Sequence, residues 1–270
     1  MIWQGKIGYN PANVELFSTR LFDALFLKGQ SREPISRRVL CIVFHGKGDS
    51  YEAFREISRE IGIPSYDFLL LNGPMRFADG YKWMHDEPRH ERSLATLRDQ
   101  LFELLEELKA AGFRTENIVL LGHSQGGRVA ADLVMHSPDR FKALVAVSSY
   151  VGFFDGWKLP EAKKETGAWK TPWLFTHGTY DRIIRPREIR QDIRELSSGH
   201  IPLTYKEFRK GHDFDHETEL PYIRSWLTRH APQLRGQLRG LRSVKKPILQ
   251  IEKPARKKSE SRTRIRELAR

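Results

Sequence analysis

The chain has 270 residues, a hydrophobic content of 39% and a formal net charge of +12 at pH 7. This length can bury the core of one α/β domain with additional segments. The single cysteine, Cys41, excludes a disulfide within the chain and suits a reducing compartment. No apolar stretch approaches the roughly 20 residues that a transmembrane helix needs, so no transmembrane segment is expected.

Residues 1–37 are expected to form an N-terminal extension packed on the main domain. Apolar residues recur at roughly helical spacing between Asn13 and Lys28, which predicts a packed helix. A helix lying on a membrane surface is the alternative, but the apolar face is short and not notably basic. The first residues lack the basic start and the apolar segment of an export signal, so a cytoplasmic location is expected.

Residues 38–230 are predicted to form the main domain, because short buried runs alternate with amphipathic ones. Strands are predicted at 39–44, 67–71, 118–121, 143–147, 172–176 and, near a sheet edge, 203–208. Helices are predicted at 51–61, 93–111, 125–137, 186–197 and 217–229, and an ordered loop at 75–89. This alternation predicts an α/β fold with a mostly parallel, doubly wound sheet and helices on both faces.

One apolar run ends at Gly122-His-Ser124-Gln-Gly126, and a helix-compatible run follows. Gly-x-Ser-x-Gly in this context is typical of a serine held on a sharp strand-to-helix turn. Side chains at Gly122 and Gly126 would collide with the neighbouring strand and helix. The pattern therefore predicts a strained serine whose hydroxyl is presented above the sheet edge. A serine that only caps the helix is the alternative.

Several polar or glycine residues follow successive predicted strands: His45, Gly73, Ser124, Asp181 and His212. Ligands bind at the carboxyl ends of the strands in such sheets, so one shared site is expected. A serine nucleophile needs a base, and the base needs a carboxylate to orient it. Ser124, Asp181 and His212 occur in the chain order that α/β-hydrolases use.

Two of these residues have simpler interpretations. Asp181 could be a turn residue with a local Asx hydrogen bond. His212 lies close to Asp215 and His216, which raises the alternative of a metal site. Those two residues fit the start of the last helix and no further ligand set converges in sequence, so neither a metal nor a cofactor is expected.

Acyl attack produces an oxyanion that needs preorganised N–H donors. The amide of Gln125 suits this role, because it lies at a helix start where amides are unpaired and the helix dipole favours negative charge. The second donor is expected to be the amide of Lys47, in a loop that glycines 46 and 48 allow to turn inward. Contact of the Lys47 side chain with an anionic substrate stays open as an alternative.

Four stretches resemble the α/β-hydrolase superfamily, in particular the carboxylesterase/phospholipase group that includes acyl-protein thioesterases. They are His45-Gly-Lys-Gly-Asp49, Gly122-His-Ser-Gln-Gly-Gly127, His177-Gly-Thr-Tyr-Asp181-Arg-Ile-Ile184 and Gly211-His212. The resemblance covers about 38–230 and implies hydrolysis of carboxylic ester or thioester bonds without a cofactor. It implies Ser124 as nucleophile, Asp181 as acid and His212 as base, with the Lys47 and Gln125 amides as oxyanion donors. An apolar residue is common in that group where this chain has Lys47.

Gly80-Tyr-Lys-Trp83 resembles the aromatic substrate loop of the same group. Phe77, Trp83 and Phe153 are therefore expected to line the substrate pocket, and ordinary core packing is the alternative for each. The connection at 148–171 is too short for a large cap domain, so an open site for short acyl groups or bulky exposed substrates is expected.

Residues 231–270 hold 13 basic and 3 acidic residues, and this tail is expected to be disordered. Such a tail attracts anionic lipid or nucleic acid, and a solvated tail without a partner is the alternative. The leading function is a serine carboxylesterase or thioesterase acting on a small-molecule substrate through an acyl-enzyme. A lysophospholipase or acyltransferase, and a catalytically idle binding module with a polyanion-binding tail, are the alternatives.

Overall fold

The computed structural model describes residues 14–15, 19–86, 89–152 and 167–233. By its internal contacts the chain divides into a unit Met1–Arg235 and a unit Gly236–Arg270. The second unit lies outside the described residues, and so does most of the basic tail. None of the helices in the described ranges is both long enough and apolar enough to cross a bilayer.

From residue 40 to residue 230 the predicted strands and helices alternate as expected, and short strands that the sequence did not predict occur at 14–15, 24–27, 75–77 and 80–82. The strands are β1 (Val14–Glu15), β2 (Ala24–Leu27), β3 (Leu40–Phe44), β4 (Asp67–Leu71), β5 (Met75–Phe77), β6 (Gly80–Lys82), β7 (Ile118–His123), β8 (Ala143–Val147), β9 (Trp173–Gly178) and β10 (Leu203–Phe208). The α-helices are α1 (Tyr51–Ile61), α2 (His90–Ala110), α3 (Gln125–His136), α4 (Pro186–Ser198) and α5 (Glu219–His230).

The main sheet has the strand order β1-β2-β4-β3-β7-β8-β9-β10. Strands β3, β4 and β7 to β10 run parallel to their neighbours in this group. Helices α2, α3 and α4 pack on one face, whereas α1 and α5 pack on the other. The predicted α/β architecture is confirmed, and β10 lies at the predicted edge with a half-buried pattern.

The helix predicted across 13–28 is wrong. Residues 24–27 form strand β2, which pairs antiparallel with β4 so that Ala24 faces Leu71 and Leu27 faces Phe68. The apolar side chains of this short run pack into the cores on both faces of the sheet. This tertiary pairing overrides the local helical spacing. These residues are therefore part of the sheet and do not form an extension packed on it.

The loop predicted at 75–89 contains an antiparallel hairpin, β5–β6, in which Met75 faces Lys82 and Phe77 faces Gly80. Three-residue strands are too short to show a period in the sequence. The hairpin reaches the loop after β3: the Gly48 N–H donates to the Tyr81 carbonyl at 2.7 Å, and the Tyr81 N–H donates to the Asp49 carbonyl at 2.8 Å.

The tail boundary predicted at 230/231 falls too early. Ala231 is buried, and its carbonyl accepts a hydrogen bond from the Tyr66 hydroxyl. The Gln233 side chain accepts from the Val39 N–H at 2.9 Å and donates to the Arg37 carbonyl at 2.7 Å. Residues 231–233 therefore pack against the chain just before β3 and β4 and belong to the folded domain.

Candidate active site

Ser124 lies between β7 and α3 with φ 51° and ψ −120°. A non-glycine residue at positive φ is strained, and such strain persists only where surrounding contacts fix it. The Ser124 N–H donates to the Val147 carbonyl at 2.9 Å, and the Ser149 hydroxyl donates to the Ser124 carbonyl at 2.8 Å. Strand β8 and the residues after it therefore hold the turn from both sides.

The two glycines of the motif are required by close backbone approach. A Cβ on Gly122 would lie well inside 3.0 Å of the Gly126 backbone at the start of α3. A Cβ on Gly126 would come equally close to the Phe44 carbonyl at the end of β3. The collisions expected from the sequence are thus present on both the helix and the strand side.

Asp181 and His212 are joined directly: His212 Nδ1 lies 2.8 Å from Asp181 Oδ2. The other carboxylate oxygen accepts the N–H groups of Ile183 and Ile184, each at 2.9 Å. Burial raises the pKa of the Asp181 carboxyl, but the His212 hydrogen bond and the two amides outweigh it and hold the pKa below its usual value. An ionised Asp181 fixes the proton of His212 on Nδ1, which leaves Nε2 as a proton acceptor.

A buried ion pair supports the loop that carries His212. The Lys210 ammonium lies 2.8 Å from Glu219 Oε2, with side chains 6% and 0% exposed. The same ammonium donates to the Ser148 hydroxyl and to the Asp213 carbonyl, both at 2.9 Å. It therefore ties the residue after His212 to the end of β8. Sequence reasoning missed this pair, because the residues on both sides of Lys210 are exposed and give no local signal of its burial.

His123, the residue before Ser124, was also missed. Its Nε2 lies 2.9 Å from the His212 carbonyl oxygen. Its ring packs against Phe54 and Phe214, and burial lowers its pKa to about 3. The ring is therefore neutral near pH 7, and Nε2–H donates to the backbone of His212.

The loop after β3 runs beside the turn at Ser124. A Cβ placed on Gly46 would lie 3.7 Å from the Ser124 Cβ. In the described part of the chain, the amides of Lys47 and Gln125 donate to no acceptor. An oxyanion hole requires two such unpaired N–H groups next to the nucleophile. The assignment of these two donors stays a prediction.

Trp83 holds this loop in place instead of lining a pocket. Its indole N–H donates to the His45 carbonyl at 2.8 Å, and its ring centroid lies 4.9 Å from that of His45. The Trp83 amide donates to the Gln125 side-chain oxygen at 2.8 Å. The indole is fully buried. The prediction that it contacts substrate is wrong, because its polar and apolar surfaces are satisfied inside the protein.

His45 links the loop to the end of β4. Its Nε2 accepts the Gly73 N–H at 2.9 Å, and its Nδ1 lies 2.6 Å from the Gly46 carbonyl. Burial lowers the pKa of His45, so the ring is neutral and donates from Nδ1. His45 therefore lies at the same sheet edge as Ser124, Asp181 and His212, and its role there is structural.

Phe77 is the predicted pocket residue that reaches the surface, with 37% exposure. A Cβ on Gly48 would lie 3.7 Å from its ring. Phe153, the third predicted pocket residue, lies outside the described residues, as does most of the connection at 148–171.

The histidine and aspartate near His212 have local partners. Asp215 accepts the N–H groups of Glu217 and Thr218 at 2.9 and 3.1 Å, ahead of α5. His216 pairs with Glu60. Within the described ranges, no group of three or more acidic, histidine or cysteine side chains is arranged to hold a metal.

The sequence matches the family model described as phospholipase/carboxylesterase over residues 32–230. Carboxylesterase SOBER1 from Arabidopsis thaliana is 28% identical over 145 residues, which are 53% of this chain and 61% of that protein. Lysophospholipase-like protein 1 from Mus musculus is 23% identical over 218 residues, which are 74% of this chain and 90% of that protein.

Among solved structures, the Bacillus cereus carboxylesterase superposes with a TM-score of 0.66 at 21% identity, over 78% of this chain and 95% of its own. This likeness concerns the fold. The family match spans more than half of the chain and includes the loops that bring Ser124, Asp181 and His212 to one edge of the sheet. The chain therefore belongs to the phospholipase/carboxylesterase family of α/β-hydrolases.

Proposed function

We propose that this protein is a serine hydrolase that cleaves carboxylic ester or thioester bonds through an acyl-enzyme. The observation that carries the proposal is the 2.8 Å contact between His212 and Asp181, on the sheet edge where Ser124 occupies a strained turn. An imidazole oriented by a carboxylate, on the same sheet edge as a serine held in a strained turn, is the arrangement that nucleophilic acyl transfer requires.

In the first half of the reaction, His212 Nε2 takes the proton of the Ser124 hydroxyl as its oxygen attacks the carbonyl carbon. The resulting oxyanion accepts hydrogen bonds from the Lys47 and Gln125 amides. The tetrahedral intermediate then collapses, the bond to the leaving oxygen or sulfur breaks, and His212 returns the proton to the leaving group. Asp181 stays ionised and stabilises the imidazolium.

In the second half, His212 takes a proton from water, and the hydroxide oxygen attacks the acyl carbon. Collapse of the second intermediate breaks the bond from the acyl carbon to the Ser124 oxygen and releases a carboxylic acid. His212 returns its proton to that oxygen, which restores the Ser124 hydroxyl and the neutral imidazole. The same site would transfer the acyl group to an alcohol if one replaced water. An active esterase and a lysophospholipase thus differ in substrate, not in these residues.

Labelling by a fluorophosphonate probe tests the proposal. We expect the full chain to be labelled at Ser124 and the Ser124→Ala variant to be unlabelled, with turnover of 4-nitrophenyl acetate lost in the variant. Circular dichroism of both proteins controls for folding. A folded wild-type protein that neither reacts with the probe nor hydrolyses any ester would favour a catalytically idle binding module.

The acyl preference is tested with 4-nitrophenyl esters of increasing chain length. An open site is expected to hydrolyse the acetate and butyrate esters. Hydrolysis of long-chain esters alone would contradict that expectation.

A further inference from the structure

We propose that Lys47, Phe77 and Lys82 form a recognition site for an anionic group, a carboxylate or phosphate, on the substrate. This cluster, called the cationic rim below, rests on the proposed function and extends it by naming a substrate class. The substrates would be esters or thioesters that carry a negative charge several ångströms from the bond that is cleaved.

The cationic rim adjoins the nucleophile through three consecutive residues. Gly46 borders Ser124, since a Cβ placed on it would lie 3.7 Å from the Ser124 Cβ. Gly48 borders the Phe77 ring, again at 3.7 Å from a Cβ placed there. Two residues of chain span at most about 7 Å, so Lys47 connects the two contacts directly. A substrate bound at Ser124 would extend along this loop to the exposed ring.

The hairpin places Lys82 and Phe77 on one face. Phe77 faces Gly80 and Met75 faces Lys82, so Phe77 and Lys82 are diagonal neighbours across the two strands. The Lys47 ammonium lies 4.7 Å and the Lys82 ammonium 5.1 Å from the centre of the Phe77 ring. Both distances are within the range of cation–π attraction.

Among the residues that the structure describes, the positive charges of the rim exceed the negative charge that faces them. Lys47 lies 2.6 Å and Lys82 3.6 Å from Asp86, and neither lysine pairs with another carboxylate in the described ranges. The hydrogen bond from Lys47 lowers the pKa of the Asp86 carboxyl, which is therefore ionised near pH 7. Arg76 lies over Tyr81 on the opposite face of the hairpin, and Asp79 lies in its turn.

The Lys47 and Lys82 ammonium groups thus share the Asp86 carboxylate, and both lie close to the exposed Phe77 ring. Their mutual repulsion is only partly offset by Asp86, which is 61% exposed and able to turn towards solvent. A second anion between the ammonium groups would complete the charge balance, and the apolar ring would strengthen its attraction by excluding water. A substrate carboxylate or phosphate can supply that anion.

The test compares matched anionic and neutral esters. Mono-4-nitrophenyl glutarate against 4-nitrophenyl pentanoate places the charge in the acyl part, and 4-acetoxybenzoate against 4-acetoxybenzamide places it in the leaving group. The measured quantity is the ratio of kcat/KM for the anionic ester to that for its neutral partner. We expect this ratio to exceed one for one of the two pairs, which identifies the side of the substrate that the rim binds.

The variants should move this ratio in opposite directions. Lys47→Met or Lys82→Met should lower it roughly three- to tenfold, as expected for a partly exposed charge pair. Asp86→Asn should raise it, because the competing carboxylate is removed. High salt should reduce it in the wild type. Lys109→Met is the matched control, since Lys109 has similar exposure and pairs with Asp139 at 2.8 Å.

A ratio that stays the same in both lysine variants, or that changes equally in Lys109→Met, would overturn the proposal. Binding measured by calorimetry to Ser124→Ala separates this proposal from the proposed function. Support for the rim would be tighter binding of 4-acetoxybenzoate, or of mono-4-nitrophenyl glutarate, than of its neutral partner. This difference should be lost in Ser124→Ala/Lys82→Met. The result would support the rim even if the wild type hydrolyses no ester. Equal binding within both pairs rejects the rim even if Ser124 reacts with the fluorophosphonate.

Discussion

His123 donates a hydrogen bond to the carbonyl oxygen of His212 at 2.9 Å, so the residue next to Ser124 holds the backbone of the proposed base. The Asp181 carboxylate holds the imidazole of the same residue at 2.8 Å. His212 is thus held at its backbone and at its side chain. The two restraints come from the end of β7 and from the loop after β9.

Replacing His123 by phenylalanine should therefore lower ester hydrolysis with little loss of folding. Phenylalanine keeps the aromatic packing against Phe54 and Phe214 but has no donor for the His212 carbonyl. We expect kcat to fall roughly ten- to hundredfold, because small displacements of a catalytic group cost that much. Steady-state kinetics with 4-nitrophenyl acetate measures the effect. Unchanged kcat in a folded variant would show that the contact does not position His212.

The same variant should change how stability depends on pH. The pKa of His123 is about 3 in the folded protein and 6.5 ordinarily. Between these values the unfolded chain binds one more proton at this site, so the free energy of unfolding falls by about 1.4 kcal/mol for each pH unit of acidification. Above pH 6.5 both states are neutral and the site contributes no slope.

Urea unfolding of the wild type and His123→Phe at pH 7.5 and pH 5 measures this difference. The wild type should lose more stability than the variant on acidification. Burial raises the pKa of Asp192 to about 6, which favours the folded state as pH falls, but Asp192 contributes equally to both proteins. Parallel losses in the two proteins would contradict the assignment of a neutral, buried His123.

The close approach at Gly126 predicts a strong effect of one methyl group. Gly126→Ala should destabilise the protein by several kcal/mol or prevent folding, because the new Cβ meets the Phe44 carbonyl at the centre of the sheet. Gly211→Ala is the matched control in the His212 loop, since a Cβ there meets nothing within 4 Å. Thermal unfolding compares the two, and equal midpoints would contradict the steric argument.

The buried pair of Lys210 and Glu219 predicts a non-additive pair of substitutions. Lys210→Met should cost about 3–5 kcal/mol, because it leaves the Glu219 carboxylate buried without its cation. Adding Glu219→Leu should recover much of that loss, since an apolar pair can replace a buried ion pair. Chemical denaturation of the single and double variants measures the coupling, and simple additivity would show that the charges do not interact.

For the basic tail we propose polyanion binding through charge alone. Deleting residues 236–270 should leave the unfolding midpoint and ester hydrolysis unchanged while removing most of the excess positive charge. Binding of the full chain to anionic vesicles and to single-stranded DNA should weaken steeply as salt rises. A truncated protein that unfolds would show a structural tail, and equal anion binding by both proteins would place the attraction elsewhere.

Several sequence predictions were confirmed because their signals are local. The fully buried strands β3, β4 and β7 to β9 each contain an apolar run of at least three residues without alternation, as a sheet covered on both faces requires. The turn at Ser124 was predictable because Gly122 and Gly126 are the residues that allow strand and helix backbones to approach this closely. The proximity of Asp181 and His212 was predicted by a topological argument and not by a local signal, because both residues follow strands that end at the same edge.

Other predictions failed where distant partners decide the outcome. The 13–28 helix failed because residues 24–27 pair with β4. The prediction of Trp83 as a pocket residue failed because its indole N–H is bonded to the His45 carbonyl, and its backbone N–H to the Gln125 side chain, inside the protein. Helical spacing and an aromatic-rich loop each allow two structures, and the choice between them depends on packing against residues far away in the chain.

The sequence by itself determined the alternation of strands and helices, the glycine-flanked Ser124 and the chain order of Ser124, Asp181 and His212. Only the tertiary structure decided that His123 and Lys210 hold the His212 loop, and that Lys47 and Lys82 share Asp86. The physical reason is that periodicity and turn chemistry act over a few residues. Hydrogen bonds and ion pairs between separate loops depend instead on which buried donors and acceptors the packed sheet brings together.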